Sequence, residues 1–305
     1  MICHMHKLES VQLSYMTPFS RVQKSIYGGL YNHRFILLLD SLRDSSSALY
    51  RPRDPAYLTK EEVENANIWD GKFIFLGHSF NMYGHFLLET LPMLSYLLDQ
   101  KISRGIFLPW QEDNSLTYKF MNLLNIDHDQ ALIYSQNRII CADFVVKPRP
   151  FIINTTILKD LSPYRKVLER IHSMHLSICS SFKGLRKIFL SREANRIPLE
   201  VSNSVESLFQ KKGFTIIRPE SLTIKEQIYI SKSASVIAGF SGSQLHNSIF
   251  AGENTLVIEI GDEYRKAINP NQYISNKISG CGSKFIAYKG NDLRWYENQI
   301  VDLGL

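Results

Sequence analysis

His85 and Glu89 stand four positions apart in NMYGHFLLETLP, so on a helix both side chains project from one face. Phe86, Leu87, Leu88 and Leu91 surround them with apolar bulk. In such a setting an imidazole or a carboxylate shifts its pKa and serves as a general base. The pair equally suits a satisfied polar contact inside a core, and the spacing alone favours that plainer role. Pro92 follows and cannot donate a backbone hydrogen bond, which predicts a kink.

A second place for chemistry is GFSGSQLHN, residues 239–247. It follows the apolar run SASVIA and precedes SIFAGENTLVIEI, so small residues stand between a strand and a helix start. A helix start offers unpaired N–H groups and the positive end of its dipole, which together hold anions. Gly242 is expected to supply a positive φ and close backbone approach. Ser241 and Ser243 add hydroxyl donors, and the backbone N–H groups of residues 242 to 244, Gln244 included, complete a cradle for a diphosphate. The alternative is an ordinary strand-to-helix turn with a serine N-cap, and on this segment alone it is the better reading.

Two further signals fall at the same predicted sheet edge. LSREANRI puts Ser191, Arg192 and Arg196 just after a strand, and two guanidinium groups beside a helix start make a strong anion site. A solvated basic loop is the competing reading. Glu259 ends the strand TLVIEI, where it can accept hydrogen bonds from ribose hydroxyls or pair with Arg192 or Arg196.

The elements that must position these residues are legible in part. KFIFL (72–76) and RFILLL (34–39) are continuous apolar runs of the kind found in buried strands. The pattern predicts a helix over 84–99, a strand over 105–109, a helix over 115–126 and a strand pair over 137–148. After Pro163 a helical face carries Val167, Ile171, Met174 and Ile178. The second half alternates strand and helix: strands at 186–191, 214–219, 235–239 and 255–260, with helices at 201–213, 223–233 and 243–251 between them. Thr223 and Glu226 form a capping box, and Gly213 suits a helix end. This order predicts a parallel sheet with helices on both faces. No GxGxxG fingerprint follows a strand, which disfavours a nicotinamide or flavin domain.

Composition narrows the classes. At 305 residues, 44% hydrophobic and 21% charged, the chain is an ordinary globular protein of about two domains. Its charge of +6 comes from 35 basic and 29 acidic residues without an arginine run, so nucleic acid is not an expected partner. The four cysteines are scattered, which argues against a zinc site or disulfide framework. No apolar run has the roughly 18 residues of a membrane span, and no leader is read at the start. A cytoplasmic protein able to rest on the inner membrane face is the expectation.

Together these segments resemble glycosyltransferase family 61, the DUF563 group of capsular polysaccharide clusters. The family motif N-x-x-x-H-F-L-x-D-x-L-P is matched at Asn81, His85, Phe86, Leu87, Leu91 and Pro92. SREANRI, KKGF, KEQIYISKSASVIAGFSGSQLHNSIF and LVIEI follow in the family's order, over roughly residues 70 to 260. Three positions depart from the pattern: Glu89 replaces Asp, Ser241 replaces a histidine, and Gln244 replaces a glycine.

The resemblance implies an α/β, GT-B-like fold of two Rossmann-like domains facing across a cleft: 1–165 on the acceptor side and 166–305 binding the nucleotide sugar. It implies an inverting transfer from a nucleotide-sugar donor to a saccharide acceptor, lipid-linked or free, without cofactor or metal. Asp127 and Asp129 have the spacing of a metal dyad but fall in a first-domain loop. His85 or Glu89 would be the base, with Asn81 on the acceptor side. Ser191, Arg192, Arg196, Ser241, Gly242, Ser243, Gln244 and Glu259 would hold the donor. The departures also motivate an alternative: a non-catalytic nucleotide- or polysaccharide-binding protein with a decayed transferase site. A sugar-nucleotide epimerase is a third reading.

Overall fold

A computed structural model describes residues 11–16, 20–22, 25–27, 30–31, 58–98, 104–110, 113–135, 139–146, 150, 157–174, 182–191 and 197–305. The chain divides into two compact units, Met1–His172 and Ser173–Leu305. The expected strand at 34–39 and the expected helical positions beyond 174 lie outside the described residues.

The first unit contains β1 (Val11–Met16), β2 (Ser20–Val22), β3 (Ser25–Tyr27), β4 (Leu30–Tyr31), α1 (Lys60–Glu64) and β5 (Asn67–Ser79). A broken helix follows: α2 (Tyr83–His85), a π turn over Phe86–Thr90 and a 3-10 stretch over Leu91–Leu97. Then come β6 (Gly105–Pro109), α3 (Ser115–Leu124), β7 (Ala131–Ile133), β8 (Ile140–Val146) and α4 (Ser162–His172). Its main sheet runs β4-β1-β8-β5-β6-β7. The strands from β8 to β7 are parallel, while β1 pairs antiparallel with both β8 and β4.

Residues 137–148 were expected to give two strands, but β8 is a single strand over Ile140–Val146. No glycine or proline interrupts NRIICADFVV to make a turn. Central β5 is buried from Phe73 to Ser79, as its apolar run predicts. Gly77, at φ 79, lies where the register with β6 shifts between Phe75 and His78. Such a bulge re-aims the strand end next to a functional turn.

The second unit alternates as the sequence predicts. It contains β9 (Lys187–Leu190), α5 (Leu199–Lys211), β10 (Thr215–Ile217), α6 (Ile224–Ser233) and β11 (Val236–Phe240). A 3-10 helix over Ser243–Phe250 follows, then β12 (Leu256–Ile260), α7 (Pro270–Ser279), β13 (Gly282–Ile286) and α8 (Leu293–Asp302). The sheet runs β10-β9-β11-β12-β13, and every pair is parallel.

Period-two alternation sorts the core onto two faces. Phe189, Ala238, Phe240, Ile258 and Ile260 pack with Val205, Phe209, Tyr296 and Ile300 from α5 and α8. Ile188, Leu190, Ile217 and Ile237 pack with Ile230 and Leu245 on the other face. Thr223 and Glu226 form the expected capping box of α6. Both units are thus mixed α/β with parallel strands, of Rossmann-like type. Among the described residues no helix is long and apolar enough to cross a membrane.

Candidate active site

At the carboxyl end of β5 the chain turns through Phe80–Met82 into the broken helix. Three polar side chains fix this turn. The Thr90 hydroxyl donates to the His78 carbonyl (3.0 Å) and accepts from the Phe80 N–H (3.1 Å). The Ser79 hydroxyl donates to Asn114 Oδ1 at 2.8 Å and shares a 2.8 Å hydrogen bond with the Thr117 hydroxyl. Asn81 Oδ1 accepts from the Leu116 N–H at 3.0 Å, and its Nδ2 donates to Asp113. Asp113 also accepts from the Ser115 N–H, and that bond holds its carboxyl below the usual range. Asn81 therefore clamps the turn to the start of α3.

The clamped turn carries the His–Glu pair. His85 Nδ1 lies 2.8 Å from Glu89 Oε1. The His85 side chain is 29% exposed and that of Glu89 7%, so the imidazole reaches solvent while the carboxylate is nearly enclosed. Phe80 packs against the imidazole, ring centroids 5.6 Å apart, and is backed by Trp110. A carboxylate facing Nδ1 makes that nitrogen the proton carrier, so Nε2 holds the lone pair.

Pro92 explains the helix break around them. In an α-helix the Leu88 carbonyl would accept from residue 92, which has no N–H. The helix instead opens into a π turn, with the Leu91 N–H reaching the Phe86 carbonyl. The Tyr164 hydroxyl of α4 donates to the Leu88 carbonyl in place of the missing N–H. Burial, and after it the Glu89 charge, push the Tyr164 hydroxyl well above its ordinary pKa, so it stays a donor. Sequence reasoning missed Tyr164 because nothing local links it to Leu88.

In the second unit the order β10-β9-β11-β12-β13 reverses direction between β9 and β11. Ligands of open parallel sheets bind at such a reversal, outside the carboxyl strand ends. Ser191 follows β9 there, and residues 241–243 follow β11. Gly239 permits the close packing: a Cβ on it would lie 2.7 Å from the Leu190 carbonyl oxygen and 3.2 Å from Leu245. Gly242 departs from expectation. At φ 166 and ψ 172 it is extended backbone, so the turn makes no use of a left-handed glycine there.

The helix start is also capped differently from the expected serine N-cap. No side chain caps it at Gly242. Gln244 Nε2 donates to the Phe240 carbonyl at 2.6 Å, and the Leu245 N–H makes the first turn bond to the Gly242 carbonyl at 3.1 Å. The N–H groups of Ser243 and Gln244 precede that bond. Residues 241–243 are half-buried, so the turn keeps access to solvent.

The other expected donor residues are placed as follows. The Ser191 hydroxyl donates to Glu206 of α5 at 2.7 Å. Arg192 and Arg196 lie outside the described residues. Glu259 is 1% exposed, and its Oε2 accepts from the Asn269 N–H at 3.0 Å. Burial raises its pKa; Ser241, Asn269 and Arg265 pull it down by smaller amounts, and Asp262 pushes it up. Ser241 lies near Glu259 without forming a well-shaped hydrogen bond to it.

The second unit thus has a parallel α/β sheet with a helix start at its topological reversal, and the first unit carries a His–Glu pair within hydrogen-bond reach. Residues 83–258 match the family described as Glycosyltransferase 61. The chain belongs to this family, whose name makes it a glycosyltransferase. No curated protein matches it.

Proposed function

We propose that this glycosyltransferase inverts the anomeric centre of a nucleotide-sugar donor in one displacement onto a saccharide acceptor. His85 Nε2 takes the proton of an acceptor hydroxyl. The hydroxyl oxygen forms a bond to the anomeric carbon, and the bond from that carbon to the donor phosphate breaks. The electron pair leaves on the nucleoside diphosphate. Glu89 orients the imidazole and stabilises it once protonated, as a carboxylate does behind a catalytic histidine. The N–H groups of Ser243 and Gln244, with Arg192 and Arg196, stabilise the leaving diphosphate by preorganised electrostatics. No step calls on a metal.

The single observation that carries this reading is the 2.8 Å His85–Glu89 pair, exposed on its histidine side, inside the matched family segment. Asn81 supports it by fixing the turn, which makes its acceptor-side role one of positioning. The resemblance supports a GT-B-like pairing of domains 1–165 and 166–305, a lipid-linked acceptor, a site of action on the cytoplasmic membrane face, and a place in surface polysaccharide assembly.

The test is turnover of a panel of nucleotide sugars, read as nucleoside diphosphate released with and without saccharide acceptors. Removing a positioned base costs about 10²–10⁴-fold in rate, so His85→Ala should fall by that amount with donor affinity kept. Unchanged turnover removes His85 from the role. Nucleotide binding without any transfer or hydrolysis favours the non-catalytic alternative, which the Ser241 and Gln244 departures motivate.

A further inference from the structure

The segment after β12, residues 261–269, was assigned no task by the sequence, yet it is held unusually firmly. Glu259 Oε2 accepts from the Asn269 N–H at its far end. Asp262, 3% exposed, accepts from the N–H groups of both Tyr264 and Arg265 at 2.9 Å. The Arg265 guanidinium lies 3.7 Å from the other Asp262 oxygen. Gly261 has no room for a side chain: a Cβ would lie 2.7 Å from both the Arg265 carbonyl oxygen and the Phe285 ring. Two buried carboxyl groups and a closely packed glycine thus hold the loop at residues 261–265 and at Asn269.

What this loop presents is an aromatic ring. Tyr264 is 82% exposed at its tip. An exposed ring on a rigid mount loses little entropy when a flat ligand stacks on it. The loop also borders the diphosphate cradle directly. The Ser241 N–H donates to the Ile260 carbonyl at 2.7 Å, so the turn after β11 and the loop after β12 are tied at the same sheet edge. Glu259, by contrast, is covered by protein, and its Oε1 has no hydrogen-bond partner. It cannot reach a ribose without opening the loop that it anchors.

We propose that loop 261–269 reads the nucleoside of the donor, Tyr264 stacking on the base, and that Glu259 is a positioning residue that holds the loop instead of touching ribose. This rests on the transferase reading above and adds the element that recognises the base. Base stacking on an aromatic side chain is lost on truncation to alanine, with an effect of about tenfold or more in affinity.

The experiment is calorimetric titration of the full chain with UDP, GDP, CDP and ADP, and with inorganic pyrophosphate, which engages the cradle alone. Tyr264→Ala should weaken the best nucleoside diphosphate about tenfold and leave pyrophosphate unchanged, while Tyr264→Phe retains binding. Glu259→Gln, which keeps an oxygen for the Asn269 N–H, should bind like the wild type; Glu259→Ala should reproduce the Tyr264→Ala loss. No loss in Tyr264→Ala, or an equal loss for pyrophosphate, overturns the base-reading role and leaves the transferase reading intact. A loss in Glu259→Gln as large as in Glu259→Ala would mean that the carboxylate itself, and not its hydrogen bond to the Asn269 N–H, is needed, and overturns the positioning role. A wild-type chain that binds no nucleotide overturns both readings.

Discussion

Glu259 places a carboxyl on the sheet face that carries the 3-10 helix and α7, where a strand this buried would ordinarily show an apolar residue. Burial dominates its environment and raises its pKa above the ordinary glutamate value, against the smaller pull of Ser241, Asn269 and Arg265; Asp262 adds to the rise. The sign follows from linkage. Above the unfolded value and below the native one, the folded chain holds a proton that the unfolded chain releases, so stability falls as pH rises through that window. The contribution is complete below the unfolded value and is lost once pH passes the native value. Urea unfolding of the wild type and Glu259→Gln from about pH 4 to about pH 7 should show the wild type losing stability relative to the variant as pH rises. Parallel curves would mean that Glu259 has the same proton affinity folded and unfolded. The sequence marked Glu259 as polar at a strand end. It could not show that the Asn269 N–H would come back to meet it, because that meeting depends on how loop 261–269 closes.

The broken helix shows what an element-level reading captures and what it misses. The apolar run and Pro92 were enough to predict a helix over 84–99 with a kink, and the helix is found over 83–97. The kink takes the form of a π turn passing into 3-10, which keeps His85 and Glu89 on one face. The stabilising partner is remote: Tyr164 is 76 residues from the carbonyl it satisfies. Such pairings have no local signature, just as the clamp by Asn81 required the start of α3. Tyr164→Phe leaves the Leu88 carbonyl buried without its donor, a loss of about 1–3 kcal/mol. Thermal unfolding should fall by about 2–4 °C for each kcal/mol in a unit of this size. An unchanged melting temperature would show that the helix break is held by apolar packing alone. The strand expectations fared unevenly. Strand 105–109 was readable from its apolar run to the residue, whereas the strand pair expected over 137–148 is the single strand Ile140–Val146.

At the scale of the molecule, the alternating second half was the most legible part, since each strand and helix there has its own local period. Its last third was not: α7, β13 and α8 follow Glu259, where the family match has already ended at residue 258. That difference matters for function. The matched segment contains the His–Glu pair and the turn after β11, whereas the base-reading loop lies just past it. Hydrogen exchange of the full chain tests this division. At 100 times its Kd a nucleoside diphosphate stabilises the state it binds by about 2.7 kcal/mol. Protection should then concentrate in residues 241–245 and 261–269, at the carboxyl ends of β11 and β12. Pyrophosphate should protect the first segment and leave the second unchanged. Equal protection of both by pyrophosphate would mean that the loop senses the phosphates, and donor choice would then have to be sought elsewhere on the chain.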